Sequence, residues 1–112
     1  MEVVELADEQ MIRQIVTDVN YPDRLVVIDC SAVWCGPCKV FGRFYHNFVN
    51  KHTVTDEIIY CKLDVDSVSD FCNANKIISL HTILFIKNGE VMDRMVGANV
   101  DKFQSILQKS IQ

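Results

Sequence analysis

Leu25-Val-Val-Ile-Asp-Cys-Ser-Ala-Val-Trp-Cys-Gly-Pro-Cys-Lys39 is the stretch on which the reading of this 112-residue chain turns. Its first six residues are apolar and rich in β-branched side chains, apart from Asp29, as expected of a strand buried on both faces. After Cys35, the residues Val40, Phe41, Phe44, Tyr45, Phe48 and Val49 recur at helical spacing and predict a long helix ending near His52. Two thiols therefore sit where a strand hands over to a helix. At a helix N-terminus, unpaired backbone N–H groups and the helix dipole favour a thiolate, which makes Cys35 the expected exposed nucleophile. Cys38, one turn further in, is the expected resolving thiol, and Pro37 suits a first turn where its missing N–H costs nothing.

Working outward, Met1 to Leu6 reads as a short edge strand and Asp8 as the cap of an amphipathic helix running through Asn20, with Met11, Ile12, Ile15, Val16 and Val19 on its apolar side. Tyr21-Pro22-Asp23 marks a turn before the central strand. Ile58 to Leu63 is the next strand, and Asp64-Val65-Asp66 leads into a short helix around Ser67 to Asn75. Thr82 to Lys87 and Glu90 to Val96 are two strands joined at Asn88-Gly89, a strong hairpin signal. Asn99 caps a last helix carrying Val100, Phe103, Ile106, Leu107 and Ile111. The order is βαβαβαββα, an α/β chain with a parallel core and an antiparallel edge. Gly42 lies inside the long helix, where glycine costs about 1 kcal/mol relative to alanine and permits a bend.

Composition bounds the function. Hydrophobic residues at 49% and charged residues at 23% describe one ordinary globular domain, residues 1–112. The net charge of −4 and the lack of a basic cluster argue against nucleic acid. Apolar runs such as Ile83 to Ile86 are too short to span a membrane, and the N-terminal residues lack a signal-peptide pattern, so the expected address is cytoplasmic. Five cysteines leave at least one thiol unpaired within a monomer. Cys30, Cys61 and Cys72 fall in elements and read as small buried hydrophobes. His46 and His52 on the long helix read as solvated.

The element order, with Trp34-Cys35-Gly36-Pro37-Cys38-Lys39 after the second strand, closely resembles the thioredoxin family over essentially the whole chain. Asp29, Lys62, Asp64-Val65-Asp66, the Asn88-Gly89 hairpin and Gly97-Ala98-Asn99 extend the match. The resemblance implies the thioredoxin fold, a central mixed sheet of about five strands flanked by four helices. It also implies that Asp29 with Lys62 helps move the proton from Cys38, and that a substrate chain lies in a groove against Trp34, Leu80 and Gly97.

Two departures matter. The family's cis-proline, followed by threonine and packed against the sulfurs, aligns with His81, and the chain's two prolines, Pro22 and Pro37, offer no substitute. A proline that kinks the family's active-site helix is replaced by Arg43. A cis bond before a residue other than proline costs about 2.5 to 4 kcal/mol, so the Leu80 to His81 peptide is expected to be trans. The altered loop is expected to reshape the groove and uncover the sulfurs. Soft thiolates bind zinc and iron-sulfur clusters, and loss of the cis-proline permits this in the family. The leading expectation is thus a poor general reductase whose Cys35 and Cys38 hold a 2Fe-2S cluster between two subunits, with His81 available to zinc. The rival is a conventional dithiol-disulfide oxidoreductase acting on protein disulfides and regenerated by thioredoxin reductase or glutathione. A third class is a redox-controlled interaction module using the same groove.

Overall fold

The computed structural model describes residues 1–79 and 81–111. Nine elements follow in order: β1 (Val4–Glu5), α1 (Glu9–Val16), β2 (Leu25–Ser31), α2 (Gly36–Asn50), β3 (Ile58–Asp64), α3 (Ser69–Ala74), β4 (His81–Lys87), β5 (Glu90–Val96) and α4 (Val100–Ser110). They form one mixed sheet in the order β1-β3-β2-β4-β5. Strands β1, β3 and β2 run parallel, and β4 and β5 antiparallel. β2 is the central strand, and its first six residues are all buried, as its apolar run demands.

Alternation along β2 divides the core. Leu25 and Val27 face Phe41, Tyr45 and Val49 of α2 and Phe103, Ile106 and Leu107 of α4. Val26, Ile28 and Cys30 face Ile12 of α1 and Cys72 of α3 on the other side, with Cys61 and Leu63 of β3. Aromatic rings dominate the first side: Phe103 meets Phe41, Phe44, Tyr45 and Phe48 edge-on at 5.6 to 6.0 Å, geometry that adds to simple burial.

The expected caps are present. Asp8 Oδ1 accepts the Met11 N–H at 2.9 Å, and Asn99 Oδ1 accepts the Lys102 N–H at 2.9 Å. Asn88 (φ 52°) and Gly89 (φ 78°) both take the left-handed conformation that the tight β4–β5 turn requires. α2 runs through Gly42 uninterrupted.

Of the boundaries that differ from the sequence reading, two have a plain cause in the residues around them. α1 stops at Val16 because the Thr17 hydroxyl bonds back to the Arg13 carbonyl at 2.6 Å and Asp18 turns the chain by accepting the Asn20 N–H. Val19, expected on the apolar side of that helix, is 87% exposed. β4 starts at His81 rather than Thr82, because His81 pairs with Ser31 of β2. That one residue moves His81 out of the loop and into the sheet.

Candidate active site

Cys35 is the N-cap of α2, in extended conformation, and its Sγ accepts the Cys38 backbone N–H at 3.2 Å. Cys35 and Cys38 are joined by a disulfide that closes the first turn of the helix. They pack with Ala32 from the end of β2 and Val65 from the segment after β3. The local sequence builds this arrangement: β2 ends at Ser31, the Cys35 N–H bonds back to the Ala32 carbonyl, and Pro37 enters the helix where no donor is needed.

The sulfurs are not uncovered. Cys35 and Cys38 are each 4% exposed, against the expectation of an exposed nucleophile beside a buried resolving thiol. Their difference lies instead in what they border. An open groove of about 580 Å³ is lined by Trp34, Cys35, Pro37, Ile78, Val96 and Gly97, and Cys38 does not reach it. Trp34, Ile78 and Val96 are 62%, 95% and 55% exposed, an apolar rim around the one cysteine of the pair that borders the groove. The indole N–H of Trp34 donates to Asp66 Oδ2 at 3.1 Å, fixing the ring against the β3–α3 connection. Leu80 and the Leu80 to His81 peptide, both singled out from the sequence, lie outside the described residues.

His81 is the residue whose placement differs most from expectation. It is 5% exposed and points to the α2 side of the sheet. Its Nε2 lies 2.9 Å from Asp29 Oδ1 and its Nδ1 lies 2.8 Å from the Gly97 carbonyl oxygen. The ring also contacts Phe41, with centroids 4.8 Å apart. The register explains the meeting. Asp29 stands opposite Ile83, so His81, two residues earlier on β4, is its diagonal neighbour on the same face. Both ring nitrogens of His81 are thereby engaged. Among the described residues no group of three or more His, Cys, Asp or Glu side chains is placed to hold a metal ion.

Asp29 is therefore paired with His81. Lys62 sits beside it in the β2–β3 register, yet its Nζ lies 3.5 Å from Glu5 Oε2 and its side chain is 42% exposed. Asp29, 3% exposed, has the His81 imidazole at hydrogen-bond distance. Burial presses the His81 pKa down, but the hydrogen bond and negative charge of Asp29, with the Gly97 carbonyl, outweigh it and hold it above its ordinary 6.5. Gly97, at φ +100°, returns its own N–H to the His81 carbonyl at 3.1 Å, so the two residues clasp each other across β4 and the segment after β5.

The remaining cysteines are remote from the groove. Cys30 and Cys61 are fully buried and Cys72 is 6% exposed, all on the α1–α3 side of the sheet. Burial raises the Cys30 thiol well above its usual range, with the Asp29 charge adding to it, and pushes Cys61 up to about 12. Of the histidines on α2, His46 is half-buried, while His52 is exposed but bonded through Nδ1 to the Phe48 carbonyl at 2.7 Å. Sequence reasoning missed Ile78, Val96 and the Trp34–Asp66 bond. Only Asp66 carried a signal, as part of the matched Asp64-Val65-Asp66 segment.

No helix among the described residues is long and apolar enough to cross a membrane. The thioredoxin family model matches residues 2–109. Thioredoxin-2 of Saccharomyces cerevisiae is 40% identical over 77 residues, 69% of this chain and 71% of that protein. Human thioredoxin is 33% identical over 89 residues, 80% of this chain and 82% of its own. Among solved structures, the thioredoxin of Malassezia sympodialis superimposes with a TM-score of 0.86 at 29% identity, covering 100% of this chain and 96% of that one. Plasmodium falciparum thioredoxin gives 0.83 at 30% identity, covering 96% and 98%. With a Cys35–Cys38 pair at the start of α2 on this sheet, the chain belongs to the thioredoxin family and is a thioredoxin-type dithiol redox protein.

Proposed function

We propose that this protein is a dithiol-disulfide oxidoreductase acting on protein disulfides, with Cys35 as nucleophile and Cys38 as resolving thiol. The observation that carries this reading is the position of Cys35, which caps α2 and lines the apolar groove while Cys38 stands behind it. An extended polypeptide with a disulfide fits such a groove, its apolar side chains against Trp34, Ile78 and Val96. The reduced Cys35 thiolate attacks one sulfur of the substrate disulfide, forms a mixed disulfide and releases one substrate thiolate. Cys38 then loses its proton, attacks the Cys35 sulfur and releases the second thiolate. Two electrons pass to the substrate, and the protein is left with the Cys35–Cys38 disulfide found here.

The cycle needs an external reductant, thioredoxin reductase or glutathione, and a reducing compartment such as the cytoplasm. The test is insulin reduction with thioredoxin reductase as electron source. Catalytic turnover supports the reading, and undetectable turnover rejects it. Trapping partners on a Cys38→Ser variant separates an interaction module, because a substrate stalls as a mixed disulfide whereas a stable partner is held without one.

The 2Fe-2S proposal competes for the same sulfurs. One chain supplies two thiolates where a cluster takes four, so it requires a homodimer joined across the Cys35 and Cys38 faces. Anaerobic purification decides it: a brown, iron-containing dimer supports the cluster, and a colourless, iron-free monomer that cannot be reconstituted with iron and sulfide rejects it.

A further inference from the structure

Asp29 is a buried carboxylate under the helix that presents both reactive sulfurs, and such a charge opposes the thiolate on which exchange depends. Here that carboxylate has a partner 52 residues away, the His81 imidazole, at 2.9 Å. We propose that His81 is a positioning residue for thiol–disulfide exchange: as an imidazolium it cancels the Asp29 charge, so that Cys35 ionises above a buried pair of no net charge. This deepens the oxidoreductase reading and rests on it.

The hydrogen bonds carry the argument. A carbonyl oxygen only accepts, so Nδ1 carries a proton donated to Gly97. Asp29 Oδ1 stands 2.9 Å from Nε2, and an ionised carboxylate there would also only accept, which places a proton on Nε2 as well. In the proposed charged form an imidazolium thus stands between two acceptors, the Gly97 carbonyl and the Asp29 carboxylate. The pair lies close to the chemistry, because His81 lines the groove beside Cys35 and its ring packs on Phe41, three residues after Cys38.

Among the described residues, the other polar groups around the pair are bonded elsewhere or uncharged. From β3, Lys62 turns to Glu5. From α2, the Tyr45 hydroxyl bonds the Cys61 carbonyl at 2.9 Å. From β2, the Cys30 thiol is neutral, and from the segment before α4 Gly97 offers only its carbonyl. Burial first, with the nearby Asp29 carboxylate among the further causes, raises both the Cys30 thiol and the Tyr45 hydroxyl.

The test is a charge cycle on the full chain. The reduced protein reacts with a small aromatic disulfide, dithionitrobenzoate. Cys35 forms a mixed disulfide and expels one nitrothiobenzoate, and Cys38 gives up its proton to solvent and expels the second. The first release is timed near neutral pH. His81→Gln keeps an amide donor but strands the Asp29 charge, and the first release is expected to slow about tenfold, the factor in thiolate that one unit of pKa supplies. The double variant, His81→Gln with Asp29→Asn, is expected to recover to within about threefold of the original rate. An unchanged His81→Gln rate, or a double variant as slow as the single, overturns the proposal, since a merely structural role is not rescued by removing the carboxylate. Nitrogen-15 NMR of the unsubstituted protein decides it independently of how the variants fold. Two protonated ring nitrogens on His81 at neutral pH support the pair, and a singly protonated ring overturns it. Dithionitrobenzoate needs no protein substrate, so insulin inactivity would retire the reductase reading while this measurement still decides the role of His81.

Discussion

Cys35 and Cys38 at the start of α2, and Cys30, Cys61 and Cys72 on the α1–α3 side of the sheet, are one residue type in two environments. Exposure does not separate them, because all five are 6% exposed or less. Backbone direction and neighbours do. Cys35 caps a 15-residue helix, accepts an N–H from its first turn and borders an open groove. Cys30 and Cys61 lie within β2 and β3, their thiols packed among Leu6, Val26, Ile28 and Leu63, where a negative charge has no donor to receive it. The lesson is that reactivity at a buried sulfur is set by the donors aimed at it.

That contrast can be broken in four ways. The largest effect is expected from Cys35→Ser, which removes the nucleophile and should lower disulfide exchange by more than about a thousandfold, read as insulin reduction. Next, brief iodoacetamide treatment of the reduced native protein should alkylate Cys35 first and leave Cys30 and Cys61 unlabelled until urea is added, as seen by peptide mass spectrometry. Labelling of Cys61 at the same rate as Cys35 would dissolve the distinction.

A subtler effect follows from His81. Its pKa is raised by folding, so the native state binds this proton more tightly than the unfolded chain. The stabilisation is complete below about pH 6.5 and is lost as pH rises through the raised value. Urea midpoints of the original protein and His81→Gln should therefore differ most near about pH 5.5 and converge towards about pH 9. A gap that widens with pH would reverse the assignment. The smallest effect is expected at the inert set: Cys61→Ala should cost about 1 kcal/mol of stability for one lost buried sulfur while leaving the exchange rate unchanged.

Much of this was legible in order along the chain. The caps at Asp8 and Asn99 and the Asn88-Gly89 turn are local, and the structure places all of them as read. The apolar run from Leu25 announced the central strand, and Trp34 to Cys38 announced a thiol pair at a helix start. The failures lie where one residue changes face or partner. Val19 fits a helical stripe in sequence but follows the Thr17 and Asp18 bonds that end the helix. Ile78 and Val96 line the groove because of where loops converge, which no local pattern encodes.

His81 shows the division most clearly. Read along the chain, it replaces a loop proline and should open the site above Cys35 and Cys38. In the fold it is the first residue of β4, paired with Ser31, and one step of register turns its ring under α2 to Asp29 and Gly97. The sequence by itself determined the strand-to-helix junction, its two sulfurs and the thioredoxin order of elements, because these depend on local periodicity and on backbone donors at a helix end. Tertiary structure alone decided that the sulfurs stay covered and that the buried carboxylate pairs with histidine rather than lysine. Those outcomes depend on which side chains antiparallel register brings to one face, and residues 29, 81 and 97 meet only once β2, β4 and β5 are in place.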